Sequence, residues 1–515
     1  MKNFKGIAVL YVAGCLWWAV ARGESPNRGA PGTETRSPGT LLSLPGGPLG
    51  IAWGFLYDYL GTPAERFLPA VRELGGGFTK VYLFWNQLEP EKGRYDWSGV
   101  DAFVNQLKSP DEGLVALFSS SLWAVKHPAF LLPPSPARNP DDYYRFVHDL
   151  VKHCKGRVRY WQNDCEPNNP IYWSGTKEEF VAELKVFYKA VKDADPSAVV
   201  VCGGYDGLFG PPGTHPFPNQ QVGLDFFDYV LKEGRQAFDI FDLRLYGDPY
   251  TIVGRVQIMR QKMEALGYSK PIICTEYGGP AFFQFPENRK YVSLLSSWTQ
   301  SIAQTSPNGA PQRDSAGSNQ IAELYQHMSS LAPETQMFML GCQPELEVKY
   351  DRVQSRGLVT RNLFALCAGV QKTLYWQLAD LRTNRDNMMT LMYGKIGLLG
   401  YENGVLRRRY PTADAYQHMA KALAGMREVK QIEVTGKPSI FLFQVDRGDR
   451  GPLLVVWERR DELKGENAPG VAFDWEWSSE GATASDVLGQ AVPARIEGGK
   501  LHLEVSVTPI FIEAR

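Results

Sequence analysis

Two glutamates stand where the side chains of a parallel barrel would converge. Glu166 follows the strand-like run 158–162 (VRYWQ) and precedes Pro167, which stops a strand; Glu276 closes the run 271–275 (PIICT) and precedes Tyr277-Gly278-Gly279. Paired carboxyl groups suit cleavage of a glycosidic bond, in which one protonates the leaving oxygen while the other attacks the anomeric carbon or activates water. In a barrel of alternating strands and helices such groups belong at the C-terminal strand ends, where residues distant in the chain share one mouth. A single strand-end glutamate usually caps an element or faces solvent. The pair carries weight only when the surrounding elements put both at the same end of one sheet.

Those elements are legible from residue 49 onward, where apolar runs alternate with amphipathic segments in the manner of repeated βα units. Strands are expected near 50–55, 78–84, 113–119, 157–162, 198–203, 239–245, 271–275 and 372–377, and helices near 64–74, 98–107, 141–153, 178–192, 222–233, 254–265, 354–368 and 412–425. Segment 178–192 (EEFVAELKVFYKAVK) shows why: Phe180, Leu184, Phe187 and Val191 share one face, charges occupy the other, and Asp195-Pro196 supplies the stop. Eight such pairs predict an α/β protein, a (β/α)₈ TIM barrel over 49–427, with Glu166 after the fourth strand and Glu276 at the end of the seventh. The 277–352 connection is far longer than an ordinary βα loop. It is expected to hold helices near 287–303 and 318–331, and either to shape the rim of the mouth or to be an exposed insertion. Gly75-Gly76-Gly77 precedes a strand and reads as a turn. Past 428 the texture shifts to short alternating segments such as 439–445 (SIFLFQV), 453–457 (LLVVW) and 501–505 (LHLEV), which predict a C-terminal antiparallel β-sandwich over 428–515.

The N-terminus reads as an export signal over 1–21: Lys2 and Lys5, an apolar stretch over 6–18 too short to span a bilayer, then Ala19-Val20-Ala21 as a cleavage site. Val12-Ala13-Gly14-Cys15 also resembles a bacterial lipobox, in which Cys15 would carry a lipid anchor; otherwise the product is simply exported, periplasmic or extracellular. Residues 22–48, rich in Pro, Gly, Ser and Thr, read as a flexible linker. Six further cysteines invite disulfides in an exported protein, but Cys165, Cys202 and Cys274 end apolar runs and are expected to be free core thiols. With 55 Lys+Arg against 56 Asp+Glu the net charge is −1, so no global field favours nucleic acid or an anionic membrane. No CxxC pair, His/Cys cluster, GxxxxGK[ST] loop, GxGxxG turn or HExxH helix is present, and neither a metal nor an organic cofactor is expected. Thirteen Trp among 12 % aromatics suit a protein that stacks flat sugar faces, although most aromatics fill core.

Three segments carry a family resemblance. Residues 161–168 (WQNDCEPN) resemble the W-E-x-W-N-E-P-N segment of clan A glycoside hydrolases, 273–278 (ICTEYG) resemble their seventh-strand nucleophile segment, and 84–97 (FWNQLEPEKGRYDW) their second-strand loop. The order suits the strand count, and the sandwich extends the resemblance to exo-acting families such as glycoside hydrolase family 39. It implies a retaining double displacement on an oligosaccharide or glycoside, with Glu166 as general acid and then base and Glu276 as nucleophile, their carboxyl groups about 5–5.5 Å apart. It implies further that Tyr246 hydrogen-bonds the nucleophile and that Trp376 forms an aromatic floor. Trp53, Trp85 and Trp123 lie at other strand ends as pocket walls or core; Asn86, Asp206 and Asp248 could reach sugar hydroxyls.

Two positions depart from the pattern. The clan's Asn before the acid/base, which bonds the sugar 2-hydroxyl, is Cys165 here, and a thiol is a weak partner; Asn163 or Asn168 would then substitute, or the substrate differs at C2, or activity is low or lost. The usual sixth-strand His is Arg244, a permanent charge that would favour an acidic sugar or be spent in an internal ion pair. A barrel that binds carbohydrate without hydrolysing it, and an endo-acting polysaccharidase with an open groove, are the competing readings.

Overall fold

The structure is a computed structural model that describes residues 44, 47–55, 64–205, 220–294, 315–380, 385 and 388–515. The expected export signal, Cys15 and nearly all of the linker lie outside the described residues, as do Asp206 and the side chain of Trp53. Among the described residues no helix is long and apolar enough to cross a membrane.

Eight parallel strands form one sheet: β1 (Leu49–Phe55), β2 (Phe78–Phe84), β3 (Gly113–Phe118), β4 (Tyr160–Asn163), β5 (Val199–Val201), β6 (Phe241–Asp242), β7 (Ile272–Tyr277) and β8 (Thr373–Trp376). The order β5-β4-β3-β2-β1-β8-β7-β6 leaves β5 and β6 as the ends, and parallel bridges Val201 to Ile240 and Tyr205 to Leu243 join them, closing a (β/α)₈ TIM barrel. All eight expected strands are present. Their ends differ from the sequence runs by up to three residues, and β6 is the shortest.

Strand alternation sorts the residues into two layers. Phe78, Tyr82, Phe84, Leu114, Ala116, Phe118, Tyr160, Val201, Ile240, Ile273 and Leu374 fill the barrel, while Val81, Leu83, Val115, Leu117, Trp161 and Val200 face the helices. The surrounding helices carry their own start and stop signals. Lys177–Ala194 opens on a capping box, the Thr176 side chain accepting from Glu179 N while Glu179 accepts from Thr176 N at 2.8 Å. Pro140–His153 opens on Asn139, whose side chain accepts from Asp141 N, with Pro140 at the first turn.

The segment after β7 is a folded excursion with a core of Phe282, Phe283, Phe285, Met337, Phe338 and Met339. It holds a helix at Ser315–Gln326, near the expected 318–331, whereas the expected 287–303 is three-ten helical over Pro286–Tyr291 and passes beyond the described residues after 294. The closing helix, Pro344–Cys367, begins ten residues before the expected 354. Pro344 with Glu345 and Glu347 in the first turn marks this start, and residues 344–349 are exposed or half-buried, whereas 350–366 is buried on nearly every side and has no polar face to set a period. A hairpin of β9 (Leu399–Glu402) and β10 (Val405–Arg409) was not foreseen from the sequence.

The C-terminal sandwich packs two antiparallel sheets. One has the order β11 (Glu428–Ile432), β12 (Ile440–Asp446), β13 (Leu453–Glu458), β18 (Ile510–Ala514), β15 (Ala482–Ser485); the other runs β14 (Val471–Glu476), β17 (Lys500–Val505), β16 (Arg495–Glu497). Leu442, Val456, Phe473, Leu501 and Ile512 close its interior. Trp457 anchors the sandwich to the barrel: it stacks on Phe443 at 5.2 Å, meets Phe364 edge-on at 5.8 Å, and donates through Nε1 to Tyr250 Oη at 2.9 Å.

Candidate active site

Glu166 and Glu276 come together. An oxygen of each and the Cys165 Sγ all lie within 4.8 Å of one another, and all three residues are buried. Cys274 and Tyr277 pair with β8 across a register shift, so Glu276 lies in the irregular stretch at the C-terminal end of β7. Asp164, at φ 54°, takes β4 out of its ladder immediately before Cys165 and Glu166.

The nucleophile candidate is held mainly through one oxygen. Glu276 Oε1 accepts from Lys80 Nζ at 2.9 Å, from the Tyr82 hydroxyl and from Cys165 Sγ at 3.3 Å, and Arg244 Nη2 lies 3.1 Å away. Oε2 accepts from the Tyr246 hydroxyl at 3.3 Å. Burial works to raise the Glu276 carboxyl, but the Arg244 and Lys80 cations and the Tyr82 hydroxyl overcome it and hold it down at about 2. Burial first, and then the Glu276 charge, push Tyr82, Tyr246 and Cys165 up, so all three keep their protons as donors.

Arg244 spans both carboxylates. Its Nε donates to Glu166 Oε1 at 3.0 Å, its Nη1 to Asp242 Oδ2 at 2.6 Å and to Thr275 Oγ1, and its Nη2 to the Cys165 carbonyl at 3.2 Å. Asp242 anchors this floor, accepting also from Gln162 Nε2 at 2.6 Å, Thr275 N at 2.8 Å and Thr275 Oγ1 at 2.6 Å. Its cations thus face acidic partners on several sides, as buried charges must. Gly204 makes the room: a Cβ there would lie 2.5 Å from the Arg244 guanidinium carbon.

Of the two fates expected for Arg244, the structure has the internal ion pair, with Asp242, Glu166 and Glu276 at 2.6, 3.0 and 3.1 Å. Cys165, Glu166 and Glu276 are a donor trio in composition, yet Lys80 and Arg244 already set two buried cations against Glu276, so the set is not suited to a metal.

Aromatic side chains crowd this network. The Tyr246 and Tyr393 rings lie 5.8 Å apart, and Trp376 meets Tyr393 edge-on at 5.5 Å. Burial and the nearby charges of Glu166 and Glu276 push the Tyr172 phenol up, which places that residue beside the pair.

Other expected site residues lie elsewhere. Trp85 is fully buried between barrel and helices, stacked on Phe146 at 5.1 Å and donating to Glu89 Oε2 at 2.7 Å, so it is core rather than a pocket wall; Trp123, half-buried, packs edge-on against it and donates to the Glu89 carbonyl at 3.0 Å. Asn163 faces the same layer, donating to Tyr143 Oη at 3.4 Å and Asp164 Oδ2 at 3.0 Å, because its strand parity is opposite to that of Gln162. It cannot stand in for the missing Asn at Cys165. Asn168 lies against Gly223 of the following helix. Asn86 accepts from Leu122 N at 3.2 Å and ties the β2 and β3 loops together, and Asp248 caps a helical turn through Tyr250 N at 3.0 Å.

Lys80, Tyr82, Asp242, Thr275, Tyr172 and Tyr393 were absent from the sequence reading. The first two had a signal: in 78–84 (FTKVYLF) a lysine and a tyrosine share strand parity with Phe78 and Phe84 inside an otherwise apolar run. Asp242, Arg244 and Tyr246 likewise recur at every second residue.

No family model matches the chain, and no curated protein matches it. Solved structures share its fold. A family 39 glycoside hydrolase from Bacteroides cellulosilyticus WH2 aligns with a TM-score of 0.58 at 15 % identity over 91 % of this chain and 81 % of that one. A GH39 β-xylosidase from Caulobacter crescentus gives 0.54 at 14 % over 93 % and 98 %. A family 51 α-L-arabinofuranosidase, AbfB, from Bifidobacterium longum gives 0.52 at 13 % over 90 % and 95 %.

Proposed function

We propose that this protein is a retaining glycoside hydrolase in which Glu276 attacks the anomeric carbon and Glu166 protonates the leaving oxygen, then activates water. The observation that carries this reading is the separation of the two carboxylates, with oxygens within 4.8 Å across the C-terminal mouth of a barrel; retaining enzymes keep the pair about 5–5.5 Å apart, and inverting ones leave room for a water between them. A nucleophile must be ionised when the sugar arrives, and Lys80, Arg244 and Tyr82 keep Glu276 so at any ordinary pH. The folded excursion leaves the barrel at the end of β7, directly after Glu276, which supports exo action on terminal sugars, and the fold partners named as a β-xylosidase and an arabinofuranosidase support a glycosidic substrate. The basic, apolar and small-residue order of 1–21 supports export, with Cys15 as the site of any lipid anchor.

A second reading, binding of carbohydrate without hydrolysis, is favoured by one observation: Arg244 donates to Glu166, the carboxyl that must deliver a proton. A panel of 2,4-dinitrophenyl glycosides and their 2-deoxy-2-fluoro counterparts separates the two. Hydrolysis of at least one member, with the fluorosugar mass trapped on the peptide containing Glu276, is the expected result; binding with no turnover across the panel supports the second reading.

A further inference from the structure

The two oxygens of Glu276 are unequally occupied. Oε1 is surrounded by four groups, Lys80 Nζ, the Tyr82 hydroxyl, Cys165 Sγ and Arg244 Nη2, whereas Oε2 takes the Tyr246 hydroxyl alone, at a long 3.3 Å. A carboxylate oxygen offers about two lone-pair directions, so Oε1 is saturated. Its donors are also fixed. The Lys80 and Arg244 side chains are 0 % and 1 % exposed, Lys80 is further tied to Thr275 Oγ1 at 3.0 Å, and Arg244 is tied to Asp242. Lys80 cannot swing aside when a sugar enters without leaving a buried cation unpaired, and Arg244 is held by Asp242 and Glu166 at 2.6 and 3.0 Å.

In a retaining mechanism one oxygen of the nucleophile forms the bond to C1 and the other is placed to accept from the sugar 2-hydroxyl, a contact that strengthens in the transition state. Here the freer oxygen is Oε2 and the one left for the hydroxyl is Oε1, which has no acceptor capacity to offer. The residue before Glu166 does not replace the contact, because Cys165 turns its thiol to Oε1 and to Arg244 Nη2 at 2.9 Å, and Asn163 faces the helix layer.

We infer that Glu276 attacks through Oε2 and that the pocket does not read the hydroxyl at C2, so that 2-deoxy glycosides are substrates on a par with their 2-hydroxy parents. This rests on the hydrolase reading above. In the step concerned, an Oε2 lone pair forms the bond to C1 as the bond from C1 to the leaving oxygen breaks; the electron pair leaves with that oxygen, as a free phenolate when the aglycone is dinitrophenol and with the Glu166 proton when it is a sugar.

The test uses the wild-type chain. Hydrolysis of the 2,4-dinitrophenyl β-D-glucoside, β-D-galactoside and β-D-xyloside is compared with that of each 2-deoxy counterpart, each rate corrected for spontaneous hydrolysis. For whichever pair is turned over, kcat/KM of the deoxy member is expected to match its parent or fall by no more than about tenfold, whereas sites built to bond a substrate hydroxyl reject the analogue lacking it by about 10⁴-fold. A larger fall with a good parent substrate overturns this inference and leaves the hydrolase reading standing. No turnover of any parent or deoxy member overturns both.

Discussion

Lys80 Nζ and Arg244 Nη2 meet at a single atom, Oε1 of Glu276, at 2.9 and 3.1 Å. One arrives from β2 and the other from the end of β6, so the barrel spends two buried cations on one carboxylate. Asp242 takes the remaining charge of Arg244 at 2.6 Å. This arrangement keeps Glu276 ionised and leaves Oε2, with the Tyr246 hydroxyl, the less occupied of its two oxygens.

Lys80→Met tests the first consequence. Removing one of two cations lets burial reassert itself, so the Glu276 carboxyl moves up from about 2. Loss of a close opposite charge is worth about 1–3 pH units. The acid limb of kcat/KM against pH for an activated aryl glycoside should move up by that amount, and an unmoved limb would contradict the assignment.

The two glutamates should fail differently. Glu276→Ala should lose turnover by several orders of magnitude, with azide restoring it and yielding a glycosyl azide of inverted configuration. Glu166→Ala should lose about 10²–10⁴-fold on poor leaving groups and far less on dinitrophenyl glycosides, which need no proton. Near-normal rates on alkyl glycosides in either variant would end the assignment.

Gly204→Ala probes the fit around Arg244. Its new methyl would lie 2.5 Å from the guanidinium carbon, and overpacking of this kind costs about 1–3 kcal/mol. We expect a lower Tm by differential scanning calorimetry together with reduced kcat/KM, since a displaced Arg244 frees both Glu166 and Asp242. Wild-type values for both would show that Arg244 is not held there.

Glu183, outside the mouth, contributes a pH dependence to stability. Burial raises its carboxyl from 4.5 to about 8, beside Asp164, which burial and the Glu183 charge also raise; Glu179 and Lys126 face it with opposing effects. Protonated in the fold and ionised when unfolded, Glu183 makes unfolding release a proton between those values, so stability falls as pH rises from 4.5 through about 8. Glu183→Gln should raise Tm by several degrees near pH 8 and leave it unchanged below pH 4.5; a uniform shift at both would refute the titration account.

Trp457→Ala should reveal how far barrel and sandwich unfold together. Trp457 is fully buried against Phe364, Phe441 and Phe443, and truncating such a ring costs about 3–5 kcal/mol. A lower Tm in a single transition is expected, and a separate early transition would mean that the sandwich unfolds alone.

The sequence by itself determined the chain of elements and the places of Glu166 and Glu276. Apolar periodicity reports which face each segment must bury, and a strand run that ends on Pro167 or on Gly278-Gly279 announces where the next side chains leave the sheet. Helix Pro344–Cys367 shows no apolar period over 350–366, where burial all round erases it. Only the tertiary structure decided which polar residues share the site. Trp85, Asn163 and Lys80 are all strand or strand-end residues of suitable type, yet barrel closure turned the first two toward the helices and the third inward to a carboxylate nearly two hundred residues away in the chain. A linear pattern of alternation gives the parity of each strand; where one strand's inward side chains meet another's is set by register and stagger around the closed sheet, which no single segment contains.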